Sequence, residues 1–160
     1  MLKSMKAGVV ACVLGLTMAQ AAWSANCAMP ANAAETKAEI GALVNAQRTS
    51  HGRTALTENA ALDKAAQSHA CWMAKTGNFS HKGRGGSGPM ARTKSAGYCT
   101  RLTAENIAMG YSSAGQVVNG WLTSSGHLKN IMLRKTRNYG LGVAMMNGKP
   151  AWVMVYAKPC

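Results

Sequence analysis

Between Glu35 and Ser50 the residues Ile40, Leu43, Val44 and Gln47 fall at helical spacing, and Ser50-His51-Gly52 ends the pattern, so a first helix is predicted here. Leu62, Ala66, His69 and Met73 share one face between Asn59 and Thr76, with Gly77 as the stop of a second helix. Residues 82–88, Lys-Gly-Arg-Gly-Gly-Ser-Gly, carry no hydrophobic period and read as a mobile loop. Pro89 then suits the first turn of a short helix ending at Gly97. Ser113 can cap a helix bearing Val117, Val118, Trp121 and Leu122, and one more helical turn is expected from His127 to Leu133. Two β-rich stretches, Tyr139 to Met146 and Ala151 to Ala157, flank Asn147-Gly148-Lys149-Pro150, and Asn-Gly between such runs predicts a hairpin. Helices early and strands late indicate an α+β domain, with helices packed on a small antiparallel sheet.

The polar positions refine this outline at the N-terminus. Lys3 and Lys6 precede an apolar run from Ala7 to Met18 and then Ala19-Gln20-Ala21, which reads as a secretory signal peptide over residues 1–21. Residues 22–35 are expected to be a leader, and residues 36–160 a single domain. No later segment reaches the roughly 18 uninterrupted apolar residues of a membrane-spanning helix. The expected location is therefore secreted or periplasmic. Beyond the signal peptide four cysteines remain, Cys27, Cys71, Cys99 and Cys160, which in an exported chain read as two disulfides with three possible connectivities. The expected pairs are Cys71–Cys99, closing the chain around His81 and the glycine-rich stretch, and Cys27–Cys160, tying the ends together. No Cys-x-x-Cys pair offers a thiolate metal site.

Charge limits the partners. The chain holds 18 Lys and Arg against 5 Asp and Glu, a net +13. Nucleic acid is excluded, because the chain is read as exported and its few aromatic residues do not alternate with basic ones as a stacking platform requires. Anionic envelope polymers, lipid head groups or a small molecule are the expected partners, for a monomeric protein.

Candidate chemistry centres on Glu105, the single carboxylate side chain among residues 64–160, which lies between His81 and His127. One carboxylate excludes a two-carboxylate glycosidase built from this part of the chain. No Gly-x-Ser-x-Gly elbow exists, and Gly83 to Gly88 lacks the Lys-Ser/Thr ending of a phosphate loop. His81 and His127 are candidate ligands for a borderline metal, and Glu105 can orient an imidazole or activate a bound water. Two protein ligands make an open, weak site. Basic residues crowd both histidines: Lys82, Arg84, Arg92, Lys94 and Arg101 follow the first, and Lys129, Arg134, Lys135 and Arg137 the second. His69, on an apolar helix face, reads as a satisfied core histidine, and His51 sits at a helix end with no assigned chemistry.

Several segments in order resemble a known family. These are Leu43-Val44-Asn45-Ala46-Gln47-Arg48, Leu56 with Asn59 and Leu62, Ala66 through His69-Ala70, Phe79-Ser80-His81, Glu105-Asn106-Ile107-Ala108-Met109-Gly110, Trp121 with Ser125-Gly126-His127 and Asn130-Ile131-Met132, and Gly140-Leu141-Gly142-Val143. Together they are similar to the CAP domain of cysteine-rich secretory, antigen 5 and pathogenesis-related proteins, in its bacterial SCP-like form. The resemblance implies a three-layer α-β-α sandwich with an open cleft, often lined by two histidines and two glutamates that can hold zinc. It maps His81 and His127 onto the histidines and Glu105 onto one glutamate. Where the second glutamate is expected, this chain has Ser124. The resulting expectation is a ligand-binding domain whose cleft is formed by His81, Glu105, Asn106, Ser124 and His127, with zinc held weakly by the two histidines. The alternatives are a metal-assisted, peptidase-like hydrolase with Glu105 as general base, and a charge-driven envelope-binding module.

Overall fold

The computed structural model describes residues 27–160, so the signal-peptide reading and residues 22–26 of the expected leader lie outside the described residues. In chain order the elements are α1 (Ala33–Ser50), β1 (Thr57–Glu58), α2 (Ala60–Thr76), a 3₁₀ turn (Arg84–Gly86), α3 (Pro89–Ser95), β2 (Thr100–Met109), α4 (Ala114–Leu122), α5 (Ser125–Ile131), β3 (Asn138–Met146) and β4 (Lys149–Pro159). Local chemistry explains most boundaries. The Asn59 side chain accepts from the N–H groups of Ala61 and Leu62 to start α2, and Gly77, at φ 68°, ends it in the left-handed region. Ser113 caps α4 by accepting from Gln116 N–H, and Pro89 opens α3. Asn147 and Gly148 both take positive φ, as a tight two-residue hairpin turn requires, so the pairing runs to Met146 opposite Lys149.

The sheet order is β1-β3-β4-β2, antiparallel except for two-residue β1, which runs parallel to β3. Its two faces bury separate cores, as the three-layer expectation requires. On one face Ile40 and Val44 of α1 and Val117 and Trp121 of α4 pack against Leu141, Val143, Trp152, Met154 and Tyr156. On the other, Leu62, Ala66, Ala70 and Met73 of α2 pack against Ile107, Ala144, Val153 and Val155. The α2 layer lies directly on the β3 backbone because Gly140 and Gly142 present no side chain to it: a Cβ at Gly142 would overlap the backbone of Ala66 and Gln67.

Side chains of α2 also finish the outer edge of β3. Asp63 Oδ1 accepts from Leu141 N–H, and the Gln67 amide bonds both the N–H and the carbonyl of Val143. Met145 N–H donates to the carbonyl of Ala28. An exposed strand edge is thereby covered without another strand.

Two expectations are corrected, and one element is added. The disulfides are Cys27–Cys71 and Cys99–Cys160, not Cys71–Cys99 and Cys27–Cys160. The Ala28 bond to β3 holds the N-terminal segment beside α2, where Cys71 lies, while pairing of Thr100 with Pro159 brings the start of β2 to the end of β4. With sequence separations of 44 and 61, each bridge contributes on the order of 4 kcal/mol in the chain-entropy account. The turn after α4 starts at Ser125 instead of His127, because Ser124 takes the extended N-cap conformation. Finally, the segment carrying Glu105 is a ten-residue strand, β2, which the hydrophobic pattern does not announce.

Candidate functional site

Glu105 sits in the middle of β2, at the outer edge of the sheet, with its side chain only 1% exposed. Both carboxylate oxygens are engaged. Oε1 accepts from His81 Nδ1–H at 2.9 Å, and Oε2 accepts from Arg92 Nη2 at 2.6 Å. Burying a carboxylate is costly unless it is paired and hydrogen-bonded, and Arg92, itself 11% exposed, supplies the compensating charge. The His81 ring remains 52% exposed. Because its Nδ1 carries the proton given to Glu105, Nε2 is the nitrogen with a free lone pair when the ring is neutral.

His69 lies 3.9 Å from the same Oε1, while its Nε2–H donates to the Ser80 carbonyl at 2.8 Å. Its ring stacks on Trp72 and its Nδ1 is buried without a hydrogen-bond partner among the described residues. Burial is the main influence lowering the His69 pKa from its ordinary 6.5; Glu105 opposes this and Arg92 adds to it. Unfolded chains therefore take up a proton as pH falls through about 6.5, while the folded imidazole resists until lower pH. Stability is lost in that window, because the unfolded state binds more protons. His69→Gln is expected to lose less stability than the parent between pH 7 and pH 5, measured by urea unfolding.

His127 comes from α5, on the far side of β2. Its backbone carbonyl accepts from Asn106 Nδ2, which also contacts the Tyr156 hydroxyl; Asn130 Nδ2 bonds the Glu105 carbonyl and Asn106 Oδ1. These bonds fasten α5 to the edge of β2, where Trp121 Nε1 also donates to the Ile107 carbonyl. His127 Nδ1 is buried with no hydrogen-bond partner among the described residues. Burial, and then the charge of nearby His81, lower its pKa, which favours the neutral, ligating form.

The structure thus joins His81 to Glu105 directly and sets His127 close enough for the two imidazoles to feel one another. Asn106 is fully buried and braces the site from beneath the strand. Ser124 is half-buried at the N-cap of α5, its side chain making no capping bond. Sequence reasoning gave no site role to Arg92, His69 or Asn130. A signal for Arg92 did exist: a lone carboxylate that is to be buried needs a cation, but the sequence offers nine candidates around the histidines.

The donor set limits any metal. With both Glu105 oxygens occupied, the imidazoles of His81 and His127 remain, and no group of three or more His, Cys, Asp or Glu able to hold a metal ion occurs among the described residues. Those two imidazoles are the remaining candidate ligands for a borderline divalent ion. A surface depression lined by Lys94, Tyr98, Arg101 and Cys160 shares no residue with this constellation.

Comparison with known proteins agrees with the architecture. The chain is 29% identical over 113 residues to the uncharacterized protein YkwD of Bacillus subtilis (strain 168), covering 71% of this chain and 44% of that protein, so it spans less than half of that relative. An outer surface protein of Borrelia burgdorferi has the same fold with a TM-score of 0.73 at 22% identity, over 79% of this chain and 94% of that one. An extracellular, SCP-domain protein of Bacillus anthracis str. Ames superposes with a TM-score of 0.70 at 25% identity, covering 78% of this chain and 41% of its own. The family model described as the cysteine-rich secretory protein family matches residues 42–156. The chain therefore belongs to the cysteine-rich secretory protein (CAP) family.

Proposed function

We propose that this protein is an exported binding module whose cleft, formed by His81, Glu105 and His127, takes a small ligand, with the two histidines holding a divalent ion such as zinc weakly. The observation that carries this reading is the engagement of both Glu105 oxygens. A general base must accept a proton from its water, yet one oxygen here orients His81 and the other is paired with Arg92. The same arrangement is what a ligating imidazole uses: a carboxylate takes the Nδ1–H, which fixes the tautomer and leaves Nε2 for the ligand. Export is supported by the two disulfides, which persist in oxidising compartments, and by the extracellular description of the Bacillus anthracis relative. No helix among the described residues is long and apolar enough to cross a membrane.

Glu105→Gln separates binding from hydrolysis. For a binding module the variant retains zinc binding, weakened on the order of 10- to 100-fold through the poorer orientation of His81. Turnover of peptide or ester substrates by the parent, abolished in Glu105→Gln, would instead establish the hydrolase. A second reading rests on the net charge of +13. It predicts attachment to anionic envelope polymers or lipid head groups that weakens steeply with salt and ignores Glu105→Gln.

A further inference from the structure

The one large hydrophobic residue of the loop between α2 and α3, Phe79, is exposed, and with Cys71 and Cys99 paired elsewhere, no disulfide closes around the loop. Besides the His69 bond to the Ser80 carbonyl and the His81 bond to Glu105, one guanidinium grips it. Arg92 Nη1 donates to the His81 carbonyl at 3.0 Å and to the Ser87 carbonyl, gripping both sides of a turn that Gly83 N–H closes onto the Ser87 carbonyl at 2.8 Å. Its Nη2 meanwhile reaches Glu105. Gly83 makes room for this: a Cβ there would lie 3.1 Å from each of Arg92 Nη1, His69 Nδ1 and Ser87 Oγ, tighter than ordinary packing. Arginine is suited to the task because its planar fork offers several donors at fixed angles, which a lysine ammonium does not.

From this geometry we infer that Arg92 is a positioning residue of the cleft. By fixing the Glu105 carboxylate and the His81 backbone together, it sets the Nδ1–H···Oε1 bond in advance and makes Nε2 the nitrogen open to a ligand. The consequence for binding rests on the reading above; the consequence for the imidazole stands without it. An unrestrained neutral imidazole prefers its proton on Nε2, so the Nδ1–H form of His81 is a signature that mere folding does not produce.

The test is ¹⁵N–¹H correlation of the histidine rings in the metal-free protein at about pH 8, where unperturbed imidazole is neutral, for the parent, Arg92→Gln and Arg92→Lys. The parent is expected to show His81 protonated at Nδ1. Both variants should shift towards the Nε2–H form, and amide exchange in residues 82–88 should quicken on the order of tenfold, since Lys restores the charge but not the fork. Zinc added alone should bind each variant on the order of 10- to 100-fold more weakly than the parent. A parent-like His81 tautomer in either variant overturns the inference. If zinc fails to bind even the parent, the binding reading falls while the tautomer comparison still decides the role of Arg92. Should Arg92→Gln not fold, Gly83→Ala crowds the same guanidinium and is expected to move the His81 tautomer in the same direction.

Discussion

Gly142→Ala is expected to lose at least about 4 kcal/mol of stability, more than most overpacking substitutions, which cost about 1–3. The difference lies in what the new methyl group meets. Around most core sites an extra carbon presses on side chains that can change rotamer, but at Gly142 it would overlap the backbone of Ala66 and Gln67 in the middle of α2. Relief requires lifting the helix off β3, which would also break the Gln67 bonds to Val143 and open the layer that carries His69. Domains of this size are stable by only about 5–15 kcal/mol, so the variant should be partly unfolded or sharply shifted in urea denaturation. Gly115→Ala supplies the contrast: a Cβ there meets nothing within 4 Å on α4, and the change should be neutral or gain up to about 1 kcal/mol from helix propensity. Equal behaviour of the two variants would contradict the close packing of α2 on β3.

Arg48→Met is expected to cost about 2–5 kcal/mol, because it strands buried carbonyls that each cost about 1–3 kcal/mol when left unsatisfied. Arg48 has no exposure and no carboxylate partner among the described residues; its guanidinium instead donates to the carbonyls of Thr54, Ile131 and Leu133. Ile131 is the last residue of α5, where helix carbonyls have no partner of their own and a cation suits the dipole, and Leu133 follows just beyond the cap. Arg53 joins by bonding Met132. Burial lowers the Arg48 pKa, which reflects the cost of holding this charge inside, yet the carbonyl cage offsets it. Methionine fills the space but strips the Thr54 and Ile131 carbonyls of this donor, while Leu133 keeps its bond from Thr136 Oγ1. Because α5 carries His127, partial loss of this anchor should also raise amide exchange along α5, a second readout that hydrogen exchange can follow.

The legible parts of the fold are those with a local cause. Asn59, the spacing of Leu62, Ala66 and His69, and Gly77 specify α2 within the segment itself, and Asn147-Gly148 specifies the hairpin. β2 was hidden because Thr100 to Met109 mixes polar and apolar residues, and what satisfies its outer edge comes from elsewhere: Asn130 at Glu105 and Trp121 at Ile107. The disulfide pairing is not legible for a related reason. Spacing says little about which cysteines meet, whereas the register of β2 against β4 brings Cys99 to Cys160 directly. At the site, His81, Glu105 and His127 stood out as the sole late carboxylate between two histidines. Arg92 did not, since in the sequence it is one of many basic residues, and only the packing of α3 against β2 selects it.

The proposed function has His81 and His127 form an open ligand site oriented through Glu105. Its most direct test is calorimetric titration of zinc into the metal-free protein near neutral pH, beside a His81→Ala, His127→Ala double variant. One weak, saturable site in the parent that disappears in the double variant is the predicted result. Absence of binding, or binding unchanged in the double variant, would contradict it and turn attention to the basic surface.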